Sequence, residues 1–477
     1  MSASLDQVTH WIDGRACPSS NAGFFEIRDP LTDEVVAAAA CGQPDDVEHA
    51  VSAARTAFDS FRAMLPGERE ACLLRAATLL EERTEVFVDV LIRQVGSPIT
   101  KARREISTAV ATLRAAAGTV RNLTGKTYPS NVPDCLSFSR REPLGVVAGI
   151  TPFNVPLIKA VKHSSMALAT GNTCVLLPSE DAPSTAVMVG RLYSDAGFPP
   201  GACNVVLGRG AEIGDTLTTH PDIRFVGFTG STRVGRHVQE LSGRYGKRVT
   251  LEMGGKNPLV ILKDADLTAA VRAATVGGFF FQGQICMASS RVIVERPLFE
   301  AFVSAFTNAA QSLAPGDLRD PQTMIGPIIS KRQRTRIADH LEDAVSKGAR
   351  IRTGGTWQGN CCLPTVLTDV PSQAVMYKEE TFGPVVAVQM ADDAAHALAL
   401  ANDSQYGLAA SVFTNDLALS REFSDRLQAG MVHVNGPTLQ EEAHVPFGGI
   451  RNSGFGREGT QAAMDDLTEW KWITVHS

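Results

Sequence analysis

At 477 residues the chain is too long for one ordinary hydrophobic core, and length alone suggests about three domains. Charged residues make up 20%, hydrophobic residues 44%, and net charge is −6, a balance that describes a globular chain without the basic face a nucleic acid or anionic lipid would require. Residues 1–6 lack a basic start followed by an apolar run, and no stretch approaches the roughly 20 apolar residues of a membrane span, so a cytoplasmic protein with neither a nucleic-acid nor a membrane partner is expected.

The nine cysteines, at 17, 41, 72, 135, 174, 203, 286, 361 and 362, are scattered and odd in number, which argues against a disulfide framework. The adjacent Cys361 and Cys362 have no histidine or second cysteine pair at ligand spacing, so no metal is expected.

After a short N-terminal segment, Val47, Ala50, Val51, Ala54 and Phe58 recur at helical spacing within 45–63. The same pattern continues over 66–95, and an Ala- and Arg-rich third stretch covers 101–120. The chain then turns at Gly125 and Pro129 into a polar, strand-compatible run over 137–143, which reads equally as a plain hairpin. From Gly145 the pattern becomes short β-branched runs, 145–150, 173–177, 203–207, 225–228 and 249–251, separated by helix-length segments. Strands alternating with helices predict a doubly wound parallel sheet, which binds ligands at the carboxyl ends of its strands. Two glycine-rich turns fall at such ends: Gly208-Arg209-Gly210, and Gly230 followed by Ser231. A helix starting after Gly230 would offer free N–H groups to a pyrophosphate. A second alternating block has strands at 258–262, 291–294, 385–389, 411–414 and 432–435, with helices over 298–310 and 330–347.

Within this block, Gln282-Gly283-Gln284-Ile285-Cys286-Met287 places one cysteine among small and polar neighbours after an apolar run. A thiol is a nucleophile near neutral pH only with access, donors and a base in reach. Leu251-Glu252-Met253-Gly254-Gly255-Lys256-Asn257, with Glu252 lying 34 residues upstream, supplies a carboxylate. Each feature alone fits buried filler or a solvated charge equally well.

Together, at this separation, the two stretches resemble the active-site signatures of the aldehyde dehydrogenase superfamily. Thr151-Pro152-Phe153-Asn154-Val155-Pro156, Phe228-Thr229-Gly230-Ser231, Glu380-Thr381-Phe382-Gly383-Pro384 and Pro446-Phe447-Gly448-Gly449 resemble further motifs of that family, in its order and spacing. The resemblance implies a dinucleotide-binding domain (1–123 and 144–253), a catalytic domain (254–464) and a small β flap for oligomerisation (124–143 and 465–477), in which 137–143 pairs with 470–475. A homodimer or homotetramer is implied.

The resemblance also implies the chemistry. Cys286 would attack a small-molecule aldehyde to give a thiohemiacetal, and the Asn154 amide with the Cys286 N–H would hold the oxyanion. After hydride transfer, Glu252 would activate water to hydrolyse the thioester. Asn154 reads equally as a turn residue between prolines. Glu458 matches a glutamate that passes protons to solvent in some members, and reads as well as a solvated surface group. Cofactor contacts would come from Thr151, Pro152, Phe153, Ser179, Glu180, Gly208, Gly230, Ser231, Glu380 and Phe382. A carboxylate at the ribose, Glu180, favours NAD over NADP. Leu177, counted with this group, stands where the family usually has lysine, which removes one ribose contact.

Gln284-Ile285-Cys286-Met287, the segment 435–443 and a basic residue, Lys162, eight positions after Asn154 resemble the branch that includes vanillin, benzaldehyde and salicylaldehyde dehydrogenases. Lys159 and Lys162, three apart on one helix face, would either meet a substrate anion beside Ile285, Met287 and Phe447 or be solvated. Two alternatives remain: a CoA-acylating semialdehyde dehydrogenase, against which Glu252 argues, and a non-catalytic relative, against which Cys286, Glu252 and Asn154 argue jointly.

Overall fold

The computed structural model describes residues 6–476; the expectation of no leader, drawn from residues 1–6, lies outside them but for residue 6. Four helices occupy residues 44–119: α1 (Pro44–Arg62), α2 (Pro66–Glu82), α3 (Thr84–Val95) and α4 (Ile99–Thr119). The stretch 66–95, read as one continuous pattern, is two helices. Arg83 leaves helical geometry at φ −97°, ψ 15°, and its N–H bonds back to Leu79 and Glu81, ending α2.

The expected doubly wound sheet has eight strands, in the spatial order Gly454–Phe455, Arg248–Glu252, Ile223–Thr229, Val146–Thr151, Thr173–Pro178, Cys203–Val205, His10–Ile12, Arg15–Cys17. The five central strands are parallel. Both faces are covered, so Thr173–Pro178 is buried at every residue. The crossing helices include α5 (Pro156–Ala169), α6 (Ser184–Asp195), α7 (Gly210–Thr219) and α8 (Thr232–Arg244). Antiparallel edges come from elsewhere in the chain: the N-terminal pair, and the two-residue strand Gly454–Phe455, which sets Gly454 beside Glu252.

A second sheet of seven strands runs in the order Arg350–Thr353, Thr365–Thr368, Val385–Ala391, Arg291–Glu295, Pro258–Ile261, Ala409–Phe413, Met431–Val434, parallel except at its first pair. Helix α9 (Leu267–Phe279) packs against it. A third sheet pairs Cys135–Pro143 with Thr468–His476 and Lys126–Tyr128, so the run at 137–143 joins the final strand as the resemblance implies. All nine cysteines are free. Among the described residues no helix is long and apolar enough to cross a membrane, and no cluster of three His, Cys, Asp or Glu could hold a metal.

Candidate active site

Past the end of α9 the chain turns through three consecutive left-handed residues, Phe281 (φ +50°), Gln282 (φ +44°) and Gly283 (φ +66°). Such backbone costs about 1–3 kcal/mol at each non-glycine residue and persists only where the surroundings over-determine it. Here they do. The fully buried Gln282 side chain donates to the Pro327 carbonyl at 2.8 Å and accepts from the Gly326 N–H at 3.1 Å. A Cβ at Gly283 would stand 2.2 Å from the Gly383 carbonyl oxygen, so only glycine fits. Downstream, the Asn257 amide donates to the carbonyls of Cys286 (2.8 Å) and Ala288 (2.9 Å) while its oxygen accepts from Ala409 N–H. The loop is thereby tied to the second sheet. Cys286 is half-buried among Ile285, Met287, Leu439 and Phe447.

Asn154 lies in the short turn between the strand Val146–Thr151 and α5, where Pro156 opens the helix at a position that needs no N–H donor. Its amide donates to the Gln284 carbonyl at 3.0 Å, two residues before Cys286. Turn residue and amide donor are one and the same side chain. The Asn154 backbone carbonyl accepts from Lys101 Nζ at 2.7 Å, and Lys101 pairs with Glu105 at 2.6 Å, both side chains being at most 3% exposed. Glu105 Oε1 in turn accepts from the Leu157 N–H at 2.9 Å, in the first turn of α5. A buried ion pair thus fixes both the turn and the helix that follows.

Glu252 ends the strand Arg248–Glu252, is 3% exposed, and has no hydrogen-bond partner on either oxygen. Burial, then the charge of Glu458, push its carboxyl well above the usual range, with Lys159, Lys162 and Arg457 offsetting part of this. A buried, unpartnered carboxylate is costly as an anion, so burial favours the protonated form and makes the group a stronger base once it has lost its proton.

Glu458 is buried rather than solvated: it accepts from Lys159 Nζ at 2.7 Å and Lys162 Nζ at 3.0 Å. Lys162 also pairs with Glu441. Burial works against the charge on Glu458, but Lys159, Lys162 and His163 outweigh it and hold the carboxyl below its ordinary value. Both lysines lie over the Phe447 ring, 4.9 and 4.5 Å from its centre. The expectation of solvated lysines is corrected, and so is that of a free cation for a substrate anion: these ammoniums are spent on Glu458 and Glu441. Burial raises the Cys286 thiol to about 12, against the pull of Lys159.

The remaining candidates gather at the carboxyl ends of the first sheet. The Thr151 hydroxyl is buried without a partner, between half-buried Pro152 and the core. Ser179 N–H donates to the Thr151 carbonyl, and Glu180 accepts from the Gly210 N–H (3.4 Å) just past Gly208, where α7 begins. Ser231, after Gly230, caps α8 by accepting from Val234 N–H. Across from these, Glu380 accepts from Gly255 N–H at 3.0 Å and is raised by burial to about 7. A Cβ on Gly254 would stand 2.3 Å from its carboxylate. Phe382, at φ +58°, meets Phe153 edge-on at 5.9 Å, so rings from the two halves of the site touch. Leu177 differs: it is 1% exposed and packed with Val175, Val206 and Ile213, which leaves no surface for a ligand and corrects its place among the cofactor contacts. A helix N-terminus for phosphate, two carboxylates for ribose hydroxyls and an orphaned hydroxyl form a donor and acceptor set that fits a nicotinamide dinucleotide.

A family model described as "Aldehyde dehydrogenase family" matches residues 17–473. The chain belongs to the aldehyde dehydrogenase family. It is 39% identical over 469 residues to the vanillin dehydrogenase of Pseudomonas fluorescens, covering 98% of this chain and 97% of that one. Among solved structures it resembles a Pseudomonas putida G7 salicylaldehyde dehydrogenase complexed with salicylaldehyde, with TM-score 0.96, 36% identity, and 99% and 98% of the two chains covered. It also resembles the Staphylococcus aureus betaine aldehyde dehydrogenase in complex with NAD+, with TM-score 0.96, 33% identity, and 99% and 95% covered. Like its family, the chain is an NAD(P)-dependent oxidoreductase acting on an aldehyde.

Sequence reasoning does not reach Lys101 or Glu105 as parts of this aldehyde dehydrogenase site, and gives Asn257 and Gln282, though they lie within its motifs, no role. One signal for the first two is present: Lys101 and Glu105 fall on the same helix stripe as the buried Ala102, Ile106 and Ala109.

Proposed function

We propose that the chain oxidises an aromatic aldehyde to its carboxylate with NAD, using Cys286 as nucleophile. The observation that carries this reading is the convergence, around one half-buried thiol, of the Asn154 amide bonded to the Gln284 carbonyl two residues before it, an unpartnered buried carboxylate and an apolar wall of Ile285, Met287, Leu439 and Phe447. Sulfur attacks the carbonyl carbon, and the new oxyanion is held by the Asn154 amide and the Cys286 N–H. The cofactor, when bound, supplies the acceptor for the hydride leaving that carbon. The acyl group then remains on Cys286 as a thioester, and Glu252 takes a proton from the water that hydrolyses it. Thr151, Pro152, Phe153, Ser179, Gly208, Gly230 and Ser231 would hold the dinucleotide from the first sheet, Glu180 its adenosine ribose, and Glu380 with Phe382 the nicotinamide side. The carboxylate of Glu180 supports NAD over NADP.

The aromatic assignment is supported by the apolar wall and by relatives that bear the names vanillin and salicylaldehyde dehydrogenase. Desolvating a ring at about 25 cal/mol per Å² adds a few kcal/mol of binding over acetaldehyde. Because Lys159 and Lys162 are already paired, the ring matters more than any charge it bears. We read 1–123 with 144–253 as the cofactor-binding unit, 254–464 as the catalytic unit, and 124–143 with 465–477 as a flap joining subunits of a homodimer or homotetramer. Exposed Leu136, Trp470, Trp472 and Val475 on that flap support association. Nine free thiols suit a reducing cytoplasm. The test compares kcat/KM for benzaldehyde, a hydroxybenzaldehyde, acetaldehyde and a succinate-type semialdehyde. The aromatic pair should lead, and a preference for the semialdehyde would overturn the assignment.

A further inference from the structure

Helix α4 passes along the edge of the site. Its Lys101 reaches inward to the Asn154 carbonyl and lies 4.1 Å from the centre of the Phe281 ring, and its Glu105 holds the first turn of α5. Arg104, about one turn after Lys101, is exposed. Its guanidinium carbon stands 5.6 Å from the centre of the Phe280 ring, and its Nη2 donates to the Leu439 carbonyl at 3.3 Å. Both partners belong to the wall around the nucleophile, since Leu439 and Phe280 pack in one cluster with Ile285, Cys286 and Met287. The segment that carries Leu439 is itself tied to the Cys286 loop: the buried Thr438 hydroxyl donates to the Met287 carbonyl at 2.7 Å and lies 2.7 Å from Ser289 Oγ. Arg104 therefore stands where the apolar wall meets solvent. The other cations nearby are spent. Arg103 pairs with Glu85 at 2.9 Å, Lys101 with Glu105, Lys159 with Glu458, and Lys162 with Glu441 and Glu458. Among the described residues no carboxylate pairs with Arg104, and the Leu439 carbonyl is its one hydrogen-bond acceptor. The rest of its planar fork, which matches a carboxylate bidentately, is open to a ligand.

We propose that Arg104 determines specificity: its guanidinium, held at the edge of the wall by Phe280 and Leu439, receives a carboxylate borne by the substrate ring on the side away from the aldehyde. The inference rests on the aromatic reading and deepens it, from a ring to a ring that carries an acid group. The ring enters the apolar wall with its aldehyde toward Cys286, and the acid group stays at the solvent edge, where its charge needs no costly burial. An exposed pair is screened, so it adds a preference of about two- to fivefold to what the ring contributes.

The test is the ratio of kcat/KM for 4-carboxybenzaldehyde to that for 4-methylbenzaldehyde, measured on the full chain. The two rings share the Leu439 wall, so any loosening of that segment lowers both and cancels in the ratio. Arg104→Met should lower the ratio about two- to fivefold, chiefly through the KM of the charged substrate. Arg104→Gln, which can keep a donor to the Leu439 carbonyl without the charge, should lower it as far, and Arg104→Glu further still. The parent ratio should fall as ionic strength rises, while that of Arg104→Gln falls less. A ratio that Arg104→Met and Arg104→Gln leave at the parent value, with 4-methylbenzaldehyde still preferred to acetaldehyde, would overturn the inference alone: Arg104 would then serve only the Leu439 carbonyl. A parent that prefers acetaldehyde to 4-methylbenzaldehyde would instead refute the aromatic reading on which the inference rests, which keeps the two failures distinguishable.

Discussion

Replacing Lys101 by methionine removes the cation of a buried pair and leaves Glu105, whose side chain is 1% exposed, with only the N–H groups of Leu157 and Ile158 as partners. Breaking such a pair from one side costs about 3–5 kcal/mol, because the remaining charge stays buried. The lost bond to the Asn154 carbonyl frees the turn that aims its amide at the Cys286 loop. Deleting an oxyanion donor outright costs about 10²–10³ in kcat, so loosening one should cost less, about tenfold to a hundredfold. The assay pairs the urea midpoint with single-turnover NADH formation. Midpoints serve better than an extrapolated free energy in a chain with several sheets, where unfolding is not expected to be all-or-none. Lys101→Met/Glu105→Gln should be more stable than Lys101→Met, since no charge is stranded and the introduced amide oxygen can still accept from Leu157. A single variant that unfolds with the parent, or a double variant worse than the single, would refute the reasoning.

Glu252 acts as an ionised base while burial holds its carboxyl above the ordinary range, so kcat limited by thioester hydrolysis should fall as pH drops through that raised value. A kcat level with pH down to the ordinary carboxylate range would contradict the assignment. Glu180→Gln should improve kcat/KM with NADP by a few-fold, at most about 1 kcal/mol because the carboxylate is half-exposed and screened. An unchanged ratio of the two cofactors would remove Glu180 from the ribose site. Gly283→Ala meets the Gly383 carbonyl at 2.2 Å in a left-handed turn, and should lower both thermal stability and activity. Wild-type melting would show that the turn can relax.

The central parallel strands are legible because a strand buried on both faces must be a continuous apolar run, as Thr173–Pro178 is. The short antiparallel edge strands carry no such signal. His10–Ile12 and Gly454–Phe455 join the first sheet through partners about 200 residues away, which no local pattern announces. Cys286, Glu252 and Asn154 stand out through the resemblance of their motifs to those of the family. Their supports do not: the Asn257 amide matters because of carbonyls 29 and 31 residues downstream. Lys159 and Glu458 are charged side chains that local sequence reads as solvated, and their pairing joins positions 299 residues apart; Lys101 and Glu105 pair within one helix, where only the buried stripe hints at it. Leu177 shows the converse, since a position counted as ligand-facing is filled by the core.

The covalent thioester on Cys286 is the central claim, and Glu252→Gln exposes it most directly. Rapid mixing of that variant with benzaldehyde and NAD should give a burst of about one NADH per active subunit, followed by slow turnover. Quenched samples should carry the benzoyl mass on the Cys286 peptide. A variant that releases benzoate at the parent rate, or one whose burst and acyl adduct are both absent while NAD still binds, would contradict the account.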